Sequence, residues 1–299
     1  MDDPIVSAVL RTLIYADLFD YALTPEEVFR FLIGVSATRA NVDAALNDHS
    51  RLNGSVSRQA GYLTLPQRDL LISARLRLHA SAQRQFPRVR FWARVLAHFP
   101  FVRMIALTGG LAMENARDND IDYFIVTAPG RLWFVRGLAV AFVRLARIFG
   151  DQLCPNYLLT ENAFALNDQN IYTAHEIVQM IPLYGFEIFC RMRALNAWTE
   201  TFLPNANDIH LLEIEKPLNR LGGWLKRMTE RLLSGALGDR IERWEMRRKI
   251  AKLSAQIPQH ADAVNFSADA CSGFFSGHGN RTLAEFNKRT QELQITNDK

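Results

Sequence analysis

"LTGGLAMENARDNDIDYFIVT", residues 107–127, is the stretch on which the reading of the fold turns. An apolar run delivers the chain to Gly109-Gly110, a short polar passage follows, and Asp120-Ile121-Asp122 opens a second apolar run. Two glycines in succession let backbone N–H groups approach an anion closely. The segment 111–115 can form a short helix whose positive end faces the same place. Asp120 and Asp122 lie two apart on a strand, so both carboxylates project from one face while Ile121 points to the core. A pair of carboxylates at one strand edge suits Mg²⁺, which prefers oxygen ligands and shares them with substrate phosphates. Asp118 would join that face only if the strand began early, and a loop or cap role suits it better.

Outward from this stretch the pattern is strand, turn, helix, strand, helix, strand. Residues 104–108 and 121–127 are apolar runs of strand length. Residues 132–149 are helical, with Arg136, Arg144 and Arg147 interrupting the apolar surface, so this stretch is a buried helix and not a membrane span. "LCPNYLLTE", 153–161, is a third strand.

The order apolar strand, Gly-Gly, spacer, Asp-x-Asp resembles the DNA polymerase beta-like nucleotidyltransferase superfamily across residues 104–166. The whole chain is also similar to a bacterial group of like length in which "YADLFDY" (15–21), "CPNYLLTEN" (154–162) and "YTAHEIVQMIPL" (172–183) recur. The resemblance implies that Asp120 and Asp122 hold Mg²⁺, two ions being possible, on a nucleoside triphosphate. It implies that Gly109 and Gly110 seat the phosphates. A hydroxyl acceptor would then attack the α-phosphorus and expel pyrophosphate. The family's third acid stands on a neighbouring strand. The corresponding position here is Asn156, with Glu161 at the strand end as its replacement and Asp151 as a weaker one. Arg131 is placed to reach a phosphate.

Residues 1–67 read as three helices and a hairpin, a winged-helix-like module. Thr24-Pro25-Glu26-Glu27 starts a helix with a capping residue, proline in the first turn and acids at the positive dipole end. "GSVSRQAGYLTL", 54–65, forms two short alternating runs around Gln59-Ala60-Gly61. No helix of the module is rich in base-reading side chains, so packing or partner binding suits it better than DNA recognition. Residues 68–170 form the nucleotidyltransferase core with a leading helix, unbroken or divided at Pro87. Residues 171–299 read as a mainly helical C-terminal domain. The fold class is therefore α+β, built on a mixed sheet.

The chain has 299 residues, 48% hydrophobic and 22% charged, with a net charge of +4 and a pI near 9.1, which suits phosphate-bearing partners without requiring them. Cys154, Cys190 and Cys271 are isolated and form neither a disulfide framework nor a zinc pattern, so a reducing cytoplasmic setting is expected. The N-terminus lacks a secretory pattern, and no membrane partner is expected. Seven arginines and no acid occur over 75–103, and eleven Lys/Arg stand against four acids over 216–252. Each run is a solvated helix face or a surface for RNA or polyphosphate. His175-Glu176 begins a zinc-protease pattern, but Gln179 stands where the second histidine belongs, so helix packing is the expected role. Two function classes remain open: a Mg²⁺-dependent nucleotidyltransferase, RNA being one possible acceptor, and a non-catalytic nucleotide- or nucleic-acid-binding regulator that keeps the fold.

Overall fold

The structure, a computed structural model, describes residues 3–52, 54–117, 120–212, 218–255, 265–272 and 275–297. Asp118 and the beginning of the second basic run lie outside the described residues.

The N-terminal part contains α1 (Pro4–Asp17), α2 (Pro25–Arg30), α3 (Arg39–Asn47) and α4 (His49–Leu52), followed by the hairpin β1 (Ser57–Gln59) and β2 (Tyr62–Thr64). Local sequence explains each boundary. The Asp3 carboxylate accepts from the Ile5 N–H at 2.9 Å, with Pro4 in the first turn. At α2, the Thr24 hydroxyl accepts from the Glu27 N–H, and the Glu27 carboxylate accepts from the Thr24 N–H at 2.8 Å, a complete capping box. The two-residue turn Ala60-Gly61 has φ of 51° and 81°, the double left-handed geometry that matches strand twist. Val9, Leu13, Leu32, Val42 and Leu63 form the core of this part.

α5 (Leu70–Ala97) runs through Pro87 as one helix. After it come β3 (Val102–Leu107), α6 (Gly109–Ala112), β4 (Asp120–Thr127), α7 (Leu132–Ile148) and β5 (Gln152–Thr160), as the sequence pattern anticipates. A single 3-10 turn, Glu161–Ala163, ends β5. Next are α8 (Ile171–Gln179), β6 (Ile181–Tyr184), α9 (Phe186–Leu195), α10 (Thr199–Phe202), α11 (Arg220–Leu233) and α12 (Ala236–Ser254). The described chain ends with β7 (Asn265–Phe266), β8 (Ala270–Ser272) and α13 (Phe275–Asn297).

The fold is α+β around a mixed six-stranded sheet of order β6-β3-β4-β5-β8-β7. β4 and β5 are parallel, with α7 as their crossover, and the remaining pairs are antiparallel. Three of the six strands come from beyond residue 170, so the C-terminal region is not helical alone: β6 extends one edge and β8 and β7 the other. These runs of two to four residues are too short to show alternation, and their partners are remote in sequence. Pro182 is tolerated because β6 is an edge strand.

Side-chain alternation gives the sheet two buried faces. Ile105, Leu107, Ile121, Tyr123, Ile125 and Leu158 pack with residues of α5 and α7. Met104, Ala106, Phe124, Val126 and Leu159 pack on the other side with Phe189 and Met192 of α9. Asp122 alternates with Ile121 and Tyr123, which places it on the α9 side. Among the described residues, no helix is long and apolar enough to cross a membrane.

Candidate functional site

The β3–β4 connection is fixed by its own backbone. The Thr108 N–H donates to the Asp122 carbonyl at 3.0 Å, and the Asn115 N–H donates to the Gly110 carbonyl at 2.8 Å. Gly109 sits at φ +68°, and a Cβ there would lie 2.5 Å from Asp122 Oδ2; a Cβ on Gly110 would lie 2.8 Å from the Asn115 carbonyl oxygen. Gly110 is therefore required by close approach to backbone, and Gly109 by its left-handed backbone. The backbone of the first glycine passes directly against the carboxylate of the second aspartate.

Side chains from the N-terminal part and α5 brace this connection. Tyr21 Oη lies 2.8 Å from the Met113 carbonyl and 2.7 Å from Glu27 Oε1. Arg75, 5% exposed, donates to the Glu114 carbonyl at 3.1 Å and to Glu27 Oε1 at 3.1 Å, and its guanidinium lies over the Tyr21 ring. His79 and Gln83 reach the Glu114 carboxylate at 2.7 and 2.8 Å. Arg117 bonds the Phe19 and Asp20 carbonyls from the other side.

A cavity of about 350 Å³ lies between these parts, a size at the lower end of small-molecule pockets. Gly109, Gly110, Asn115 and Asp122 line it from the core. Tyr15, Phe19 and Phe31 line it from the N-terminal part, and Tyr172, His175, Glu176 and Gln179 from α8. Burial, and secondly the charge of Asp122, push the Glu176 carboxyl up to about 7. His175 is buried, its Nδ1 is 2.9 Å from the Ile171 carbonyl, and its ring stacks on Tyr15 at 3.9 Å. Burial holds its imidazole down near 4, so it is neutral at physiological pH. The Tyr15 hydroxyl is pushed up by burial, then by Glu176 and Tyr172. The ionisable groups of this pocket are thus acids and neutral rings, with no lysine or arginine among its lining residues.

The candidate residues divide into two groups. Gly109, Gly110 and Asp122 converge on the cavity, and Asp120 stands two residues from Asp122 on the same strand face. Glu161, Arg131 and Asn156 do not join them. β5 runs parallel to β4 with Cys154 beside Asp122 and Thr160 beside Thr127. Glu161 is therefore at the far end of the sheet, roughly 20 Å along the strand. Its carboxylate faces Arg103 at 3.6 Å and Arg191 at 3.8 Å. Arg131 follows the distal end of β4, paired with Asp239 at 2.7 Å and lying over the Phe101 ring. Asn156 is the extra residue of a β-bulge, since Tyr123 pairs with Pro155 and Phe124 with Tyr157. Asp151 accepts from Trp92 Nε1 at 2.8 Å and pairs with Arg88, a structural role.

Glu176 is the residue that sequence reasoning missed. Tyr172, His175, Glu176 and Gln179 fall at i, i+3, i+4 and i+7, a polar stripe on a helix whose other face, Ile171, Ala174 and Val178, is packed in the core. That stripe was the available signal. Comparison of the chain with models of known protein families, with characterised proteins and with solved structures gave no match.

Proposed function

We propose that the cavity binds a Mg²⁺-associated nucleoside triphosphate, and that the protein transfers its nucleoside monophosphate to a hydroxyl acceptor on a nucleotidyltransferase-type core. The observation that carries this reading is the seating of left-handed Gly109 against the Asp122 carboxylate in the wall of a partly open cavity. A glycine that leaves room only for backbone, beside a carboxylate, is what a phosphate with its counter-cation needs.

The donor set fits Mg²⁺. Asp120 and Asp122 are hard oxygen ligands, and such an ion is commonly held by one or two carboxylates with phosphates and water completing its shell. No group of three or more His, Cys, Asp or Glu stands ready for a metal among the described residues, so the triphosphate would supply part of that shell. When bound, the ion neutralises phosphate charge. The chain's own contributions are distinct. Gly109 and Gly110 present backbone to the phosphates, and Tyr15, Phe19 and Phe31 offer an aromatic wall that excludes water. Glu176, poised near neutrality, accepts the proton of the attacking hydroxyl as the new O–P bond forms and the bond to pyrophosphate breaks.

A binding-only reading rests on Asn156 in place of a third acid. Glu176 in the cavity weighs against it. The winged-helix-like N-terminal part serves in this reading as a cover for the cavity. Of the 75–103 arginines, Arg75 and Arg103 are engaged in ion pairs with Glu27 and Glu230, while Arg77, Arg84, Arg88 and Arg94 remain exposed and keep an RNA acceptor within the reading. A thermal-shift series with ATP, GTP, CTP and UTP, each with and without Mg²⁺, tests the proposal. Stabilisation that requires both nucleotide and Mg²⁺ is expected, and no shift with any of the four contradicts it.

A further inference from the structure

α11 is amphipathic in the inverse sense. Lys226, 7% exposed, points inward, where its ammonium donates to the Ala97 and Val102 carbonyls at 2.8 and 2.7 Å. Glu230 also points inward, accepting from the Phe101 N–H at 2.7 Å and from Arg103 at 2.8 Å. Gly222 packs against the His98 ring at the end of α5, where a Cβ would press on that ring. These charged anchors fix which side of the helix meets the core. The side left facing solvent carries Leu221, Trp224, Leu225 and Leu232, exposed by 67%, 51%, 48% and 70%.

Those four positions recur at i, i+3, i+4 and i+11, one continuous stripe on a helix of 3.6 residues per turn. Arg220, Arg227 and Arg231, at i, i+7 and i+11, form a second row directly beside it, all exposed. Glu230, the one acid of α11, is engaged inward. α12 continues the theme, with Leu237 and Trp244 exposed, Arg248 lying over the Trp244 ring, and Glu242 and Glu245 buried. Glu242 accepts from the Trp133 and Phe134 N–H groups at the start of α7. Across this hairpin Glu230, Glu242 and Glu245 face inward and the partly exposed Asp239 is paired with Arg131, while leucine, tryptophan and arginine face out.

We propose that the α11–α12 hairpin docks on an anionic lipid surface, with the Leu221/Trp224/Leu225/Leu232 stripe entering the interface and the arginine row meeting lipid phosphates. A helix that lies in the interface plane combines this kind of apolar stripe with flanking cations, tryptophan taking the headgroup level. Interfacial binding needs no spanning helix. Charge decides between occupants. A second copy of this chain would bring the same arginine row, and α11 offers no exposed acid to meet it, Glu230 being engaged inward. A nucleic acid would match the arginines but leave three leucines without a stacking partner. Anionic lipid satisfies both rows at once.

Flotation of the full chain with phosphatidylcholine vesicles, with or without about one-third phosphatidylglycerol, tests this. Binding to the anionic vesicles only is expected. It falls about tenfold or more in a Leu221→Ser, Trp224→Ser, Leu232→Ser variant, whose melting temperature is unchanged because these side chains are exposed. Arg227→Glu with Arg231→Glu lowers it as well. No vesicle binding, equal binding to both compositions, or undiminished binding by the triple variant overturns the proposal. A concentration-dependent dimer or RNA retention, lost in the triple variant while vesicles are ignored, also overturns it and gives the face to that occupant.

Discussion

Glu176 carries a consequence that can be measured without knowing the ligand. Its carboxyl is surrounded by Asp122 from β4, Tyr15 from α1, and Tyr172 and His175 from its own helix. Burial and the Asp122 charge raise it to about 7 from an ordinary 4.5. Between those values the folded protein keeps a proton that the unfolded chain has released. Stability from this group is therefore greatest below the lower value and declines as pH rises through the upper one. His175 acts oppositely: neutral in the fold down to about 4, it is protonated in the unfolded chain below an ordinary 6.5, so its share of stability is lost as pH falls. Comparing wild type with Glu176→Gln cancels the His175 contribution. Urea denaturation across pH should find the variant more stable above neutrality by about 1–3 kcal/mol, the gap closing in acid. A gap that does not vary with pH would place Glu176 in solvent. The same substitution should remove the acid limb near neutral pH from any transfer activity.

Arg75 joins three elements that have little else in common. It leaves α5, meets Glu27 of α2, and supports the Glu114 carbonyl in the connection that carries the glycines. Arg75→Ala should leave half-buried Glu27 and buried Tyr21 without their cation and destabilise the protein by about 3–5 kcal/mol, read by chemical denaturation. A loss below about 1 kcal/mol would show that the pair is screened as surface pairs are. Elements whose signals are local were legible in the sequence. The Thr24–Glu27 capping box, the Ala60-Gly61 turn and the strands flanking Gly109 and Asp122 each depend on neighbours within a few residues. Glu176 was not legible in the same way. His175-Glu176 reads as an incomplete metal motif until tertiary packing lays α8 across the cavity from β4.

The sheet binds the two halves of the chain into one architecture. Strands β3, β4 and β5 follow from apolar runs of six to nine residues. β6, β8 and β7 stay hidden because so few residues carry no period, and only pairing with remote strands makes them strands at all. This dependence predicts that a chain ending after Ala255 loses β8, exposes the Tyr157–Leu159 edge of β5 and aggregates. Soluble, cooperatively folding protein from that truncation would show that β8 is dispensable. The far end of the same sheet, where Glu161 and Arg131 form ion pairs, is structural, and the chemistry is assigned to the end where Asp122, Gly109 and Glu176 meet. Titration calorimetry of wild type and Asp122→Asn with Mg²⁺ and each nucleoside triphosphate tests that assignment most directly. The account predicts Mg²⁺-dependent binding of at least one triphosphate by wild type, weakened about tenfold or more by Asp122→Asn. Binding that is absent from wild type, or that Asp122→Asn leaves unchanged, would contradict it.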